Sequence, residues 1–197
     1  MANVNAPFGF RPNTNIGGGT PARLGGYSIA FDYAVAMFSG DLVKSSGTGR
    51  DVTIVADDDT VERTLGIFAG CNYVNDSGDI VWLQYWPGIA LADSAKLVEC
   101  WVYDDPNLEY IAEMTTFAQT DVGLVFGYNI GTGNPVTGRS ASEIDESDTT
   151  NLKLRIVGIS EGIDGINQSE TGAFAKVRCQ VLSHERSRPG VATATTY

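Results

Sequence analysis

The stretch Leu65–Gly88, LGIFAGCNYVNDSGDIVWLQYWPG, sets the architecture the rest of the chain must fit. Its first half, Leu65–Val74, is small, branched and aromatic. Asn75-Asp76-Ser77-Gly78 is a turn cluster, in which Asn and Asp compete for backbone bonds and Gly supplies a positive φ. A second run, Asp79–Trp86, stops at Pro87-Gly88, because proline donates nothing to a ladder. The reading is a β-hairpin. Tyr73, Trp82, Tyr85 and Trp86 put four large rings into fourteen residues, so the hairpin is expected to supply core or inter-subunit packing.

The same pattern of short apolar runs between turns continues on both sides. Asp41–Lys44, Asp51–Ala56, Lys96–Tyr103, Leu124–Ile130, Leu152–Ser160 and Ala173–Ser183 read as strands. Tyr27–Phe38 also reads as strand, with a helix over Ala34–Phe38 as the alternative. In Lys96–Tyr103, Leu97, Glu99, Trp101 and Tyr103 share one face, and Val98, Cys100 and Val102 the other. In Leu152–Ser160, Leu152, Leu154 and Ile156 alternate with Lys153 and Arg155. Leu108–Met114 is read as strand because it follows the tight turn Asp104-Asp105-Pro106-Asn107, and it is expected to pair with Lys96–Tyr103 as a second hairpin. Thr116–Gly123 holds the one plausible short helix. Eight to ten short strands with little helix predict an all-β fold, a small β-barrel or β-sandwich.

The 23 glycines and seven prolines are spread through the chain, as frequent turns require. Residues 1–26 differ: Pro7, Pro12 and Pro21 forbid a continuous helix, yet Phe8, Phe10 and Ile16 are apolar. They predict an extended N-terminal arm, laid either on another surface or back on its own core, ahead of a β-rich domain over 27–184. A Ser/Thr/Ala-rich C-terminal tail, 185–197, follows. No run approaches eighteen apolar residues, so no membrane contact is expected, and the N-terminus lacks the basic and apolar regions of a secretory signal.

Charge is uneven. Residues 1–25 hold Arg11 and Arg23 and no acid, and 176–197 hold Lys176, Arg178, Arg186 and Arg188 against Glu185. The body between has seven basic residues against 23 acids. Such a body argues against nucleic-acid binding, while basic ends suit an acidic partner or a neighbouring copy.

Chemistry is sparse. One His, His184, stands near the expected mobile tail, where it is poorly placed for a catalytic triad. Cys71, Cys100 and Cys179 lack metal spacing and read as buried reduced thiols, which suits a reducing cytosol. Gly17-Gly18-Gly19 is followed by Thr-Pro, not by the Lys and helix of a phosphate loop. Asp57-Asp58-Asp59 lacks the alternate spacing of a Ca²⁺ loop. Glu99 and Asp104 could be drafted as a glycosidase pair, but 24 acids guarantee such candidates. No catalytic, metal or cofactor site is predicted, and the protein is not expected to be an enzyme.

The opening MANVNAPFGFRP, then FSGDLVK, LGIFAGCNY, YWPG, VYDDP and GNPVTGRSASEID, resembles small structural proteins of tailed bacteriophages, those of cyanophage and marine siphophage type. They are similar in role to head decoration, or cement, proteins. The likeness runs from Met1 to about Leu182. It implies a β-rich virion module, made in the host cytoplasm, that sits on the capsid exterior and bridges major capsid protein subunits. It also implies self-association, commonly as a trimer. The arm contact would then fall on Phe8, Phe10, Arg11 and Ile16, with Arg186 and Arg188 as tail contacts. Deleting residues 1–12 would leave the module folded and weaken shell binding. A tail or head–tail connector piece is the alternative.

Overall fold

The computed structural model describes residues 3–16, 23–56, 63–88, 98–148, 152–160 and 171–187. Among them fourteen strands follow in chain order. They are β1 (Arg11–Asn15), β2 (Leu24–Ile29), β3 (Met37–Phe38), β4 (Leu42–Ser45), β5 (Val52–Ile54), β6 (Gly66–Val74), β7 (Ile80–Leu83) and β8 (Tyr85–Trp86). Then come β9 (Val98–Tyr103), β10 (Leu108–Phe117), β11 (Val125–Asn129), β12 (Glu143–Asp145), β13 (Leu154–Ile159) and β14 (Gly172–Val181). One 3₁₀ turn, Gln119–Asp121, lies where the short helix was expected. The fold is all-β.

Five strands close a barrel in the order β10–β12–β11–β13–β14 and back to β10. The long antiparallel ladder of β10 with β14, from Glu109↔Gln180 to Phe117↔Gly172, is its spine. The parallel pair Met114↔Ile144 is its seam. Sequence dictates the inside: Ala175, Val177, Cys179 and Val181 of β14 are buried, two residues apart, while Lys176 faces out. Closure leaves these five strands without a free edge, except where β1 adds to the first half of β10.

A second sheet runs β2–β9–β6–β4–β5, with β7 on the far half of β6. A parallel bridge from Ser28 to Asp51 draws its ends together. The ribbon β3–β8 lies beside it, with Phe38 stacked on Tyr85. Two cores result. One fills the barrel around Tyr110, Met114, Tyr128 and Ile156. The other lies inside the second sheet around Phe68, Trp86, Cys100 and Val102. Adjacent residues of β4 and β6 feed different cores: Leu42 and Ile67 the barrel, Val43 and Phe68 the second sheet.

The hairpin at 65–88 forms, as β6 paired with β7. The second hairpin does not. β9 pairs with β2 and β6, and β10 pairs with β14 and β1. The turn Asp104–Asn107 crosses between cores, from Val102 in the second to Leu108 in the barrel. Asp105 sets its course by accepting from the N–H of Asn107 at 2.9 Å and from Asn15 Nδ2 at 2.6 Å. The run Tyr27–Phe38 is also not one strand. It breaks at a turn after Ala30, whose carbonyl accepts from the N–H of Tyr33 at 3.0 Å. The alternation read from Leu152 fails at its start: Leu152 is exposed, and Lys153 is buried with its ammonium 5.9 Å from the Tyr128 ring centroid.

Candidate functional site

The N-terminal segment is threaded through its own protein. The Ala6 N–H donates to both Glu113 carboxylate oxygens, at 3.1 and 3.2 Å. The Gly9 N–H donates to the Ser142 carbonyl at 3.1 Å, and the Phe10 N–H to the Gly40 carbonyl at 2.9 Å. Gly9 has φ +72°, and a Cβ there would sit 2.6 Å from Ser140 Cβ, so only glycine permits this approach. The result is that Phe10 enters the barrel core, 1% exposed, edge-on to Tyr128 with centroids 6.3 Å apart. Phe10 is therefore packed in the protein's own core, where the resemblance implied a partner contact. The expected boundary at 26/27 falls inside β2.

The other expected arm residues stay at the surface. Ile16 is exposed, with its N–H donating to the Asn107 carbonyl. Phe8 is half-buried beneath two cations, Arg11 at 4.4 Å and Lys176 at 5.8 Å from its centroid. These three line a groove of ~640 Å³ together with Asn134, Arg139 and Ser160. Sequence marks Lys176 only as one of the basic residues toward the C-terminus, and it singles out no role for Arg139. Arg139 reaches the groove through a tight turn: the Asn134 N–H donates to the Arg139 carbonyl at 2.9 Å, and Asn134 Oδ1 accepts from Val136 N–H at 2.8 Å. That turn also holds up Val136, 92% exposed.

Electrostatics single this groove out. Partial burial lowers the Arg11 guanidinium from its ordinary value, and the positive charge of Arg139 lowers it further. Neither arginine has a carboxylate ion-pair partner among the described residues. Two like charges held together beside a lysine, on a chain of net charge −11, form a ready seat for an anionic group.

The other expected contacts are engaged internally. Arg186 pairs with Asp104 at 2.9 Å and donates to the Tyr27 hydroxyl at 2.7 Å. Tyr27 in turn donates to Asp104 at 2.8 Å. Burial, with Asp104 second, pushes the Tyr27 hydroxyl up to about 12. Arg186 thus clasps the segment after β14 to the body, where a tail contact with a partner was expected. Arg188 and Asp57–Asp59 lie outside the described residues. His184 is buried: its Nδ1 accepts from the Arg186 N–H at 3.0 Å, and burial lowers its pKa. Asp104 is committed to this clasp, and Glu99 lies on the outer face of β9.

Of the hairpin rings, Tyr73 and Trp86 are core, edge-on at 5.4 Å, and Tyr85 is half-buried. Trp82 is exposed. All three cysteines are free and buried. Burial pushes the Cys71 thiol up to about 12 and raises Cys100 and Cys179 as well, so these thiols are poor nucleophiles. Among the described residues no cluster of three His, Cys, Asp or Glu is arranged to hold a metal. No family model matches the chain, and no curated protein or solved structure does either.

Proposed function

We propose that this protein is a virion structural protein of a tailed bacteriophage, which binds the outer surface of the capsid and braces it by bridging major capsid protein subunits. The reading rests on the resemblance of its sequence phrases to head decoration proteins. The observation that carries it to a site is the pair Arg11 and Arg139, unneutralised among the described residues, beside Lys176 and Phe8. An acidic segment of a capsid subunit would lie in this groove, its carboxylate between the guanidiniums and its apolar part against Phe8 and Ile111. Copies of the protein associate with one another in this proposal, as a trimer, so that each copy multiplies the contacts at high local concentration.

The test is binding of the purified protein to expanded empty shells, followed by sedimentation. Arg11→Ala with Arg139→Glu should lower affinity at least tenfold, since a charge-assisted hydrogen bond contributes about 1.5–3 kcal/mol. Raising salt should weaken the parent more than the variant. Parent-like binding by the double variant sinks the groove. A copy number of about six to thirty per virion, in place of hundreds, would move the protein to the tail or connector.

A further inference from the structure

The outer face of the second sheet has a feature the capsid reading does not use. Trp82 of β7 is 65% exposed and lies flat on Trp101 of β9, with centroids 5.1 Å apart and planes within 11°. The rings come from strands on either side of β6, where Asn72 opposes both Trp82 and Glu99. Backbone pairing therefore sets both indoles on one face of the sheet, where they stack. A large ring left this open contributes little to the core.

Beside Trp101 the register puts Gly26 of β2 directly opposite the indole. The missing side chain leaves a cleft of ~220 Å³, walled by Trp101, Glu99, Arg50 and Ser28. A Cβ on Gly26 would meet only Arg50, at 3.7 Å, so the space above the glycine is open. The Arg50 guanidinium donates to the Gly26 carbonyl, which holds it at the rim. Ser28 is held by donating to Asp51 at 2.6 Å.

We propose that this face binds a neutral oligosaccharide, with one pyranose ring in the cleft beside Trp101 and a ring further along the sugar chain on the open face of Trp82. The chemistry follows from the parts. The C–H face of a pyranose is flat, weakly positive and apolar, and it packs on the negative face of an indole. Its hydroxyls, set around the ring edge, both donate and accept. Glu99 accepts from them and Arg50 donates to them. Glu99, with Asp51 behind Ser28, outweighs Arg50, and the chain as a whole is at −11, so an acidic sugar or a nucleic acid is disfavoured. The cleft is smaller than the ~300–1,000 Å³ that drug-sized ligands take, and of the order of one sugar ring. A second copy of the chain fits less well. A stable dimer buries about 800 Å² per partner, and this platform has Glu99 and Arg50 at its centre.

Isothermal titration and tryptophan emission would be recorded on the full chain with neutral cello-, malto-, manno- and N-acetylglucosamine hexasaccharides. At least one should bind in the range of about 10 μM to 1 mM and shift the emission. Trp82→Ala should weaken it at least tenfold. Gly26→Val fills the cleft at an ordinary extended φ and should abolish it, with far-UV circular dichroism unchanged in both variants. Silence from all four sugars at ~10 mM overturns the proposal. So does binding that both variants retain. Trp82-dependent self-association without sugar binding would also overturn it, by making the face a contact between copies. Shell binding should not respond to Trp82→Ala, which keeps this outcome separate from the capsid reading.

Discussion

Replacing Phe10 with alanine tests whether the N-terminal segment belongs to the fold or to a partner. The ring is 1% exposed inside the barrel and meets Tyr128 edge-on. Truncating a phenylalanine in such a site costs about 3–5 kcal/mol, the lost transfer energy plus the cavity left behind. The edge-on contact accounts for about 0.5–1.5 kcal/mol of that sum. Against a total stability of about 5–15 kcal/mol, the loss is a large share. At roughly 2–4 °C per kcal/mol for a chain of this size, the melting temperature should fall by about 6–20 °C. Urea unfolding followed by tryptophan emission would measure it, with Phe10→Leu falling between parent and alanine. Deleting residues 1–12 should destabilise at least as much, because the Ala6–Glu113 and Gly9–Ser142 bonds go with the ring. If Phe10→Ala costs less than ~1 kcal/mol, the segment is an arm that leaves the barrel in solution, and the packing argument fails.

Two further outcomes follow from buried charges. Arg186→Ala leaves the Asp104 carboxylate, whose side chain is fully buried, with only Tyr27 and a 3.8 Å approach from Arg23. Because Arg186 itself is 40% exposed, the expected loss is about 1–3 kcal/mol in urea unfolding, below that of a fully buried pair; adding Asp104→Asn should return part of it. Asp41 sits among Ser140 at 2.5 Å, Ser142 at 3.0 Å and the Phe38 N–H at 2.7 Å, yet burial outweighs these bonds and raises its pKa. The folded state then holds this proton more tightly than the unfolded chain. The stabilisation is fully present below the ordinary carboxylate value near ~4 and is lost as pH rises through the raised value. Unfolding free energies across acidic to neutral pH should therefore fall less steeply in Asp41→Asn than in the parent, and identical slopes would refute the assignment.

Individual strands were legible where one face was apolar and the other not. Val98, Cys100 and Val102, and Ala175, Val177, Cys179 and Val181, are buried as their period of two requires. Partners were not legible. β10 follows β9 across a four-residue turn, but pairs with β14 some sixty positions on, because the turn changes cores. Local spacing contains no term for that. Ile80–Trp86 is apolar on both faces, so alternation could not say that Trp82 faces out while Trp86 faces in. Phe10 was hidden for another reason. Its neighbours Gly9, Arg11 and Pro12 carry no period, and its burial depends on Gly40 and Ser142. Lys176 was visible only as one charge of a basic end and Arg139 not at all, since it is the fold that brings both to Phe8.

The step from Leu42 to Val43, repeated at Ile67 and Phe68, has a mechanical meaning. Each strand is a plank nailed to two walls. A force that pries the barrel open must drag β4 and β6 with it, and these are the strands the second sheet is hung on. Under load the two cores should give way together.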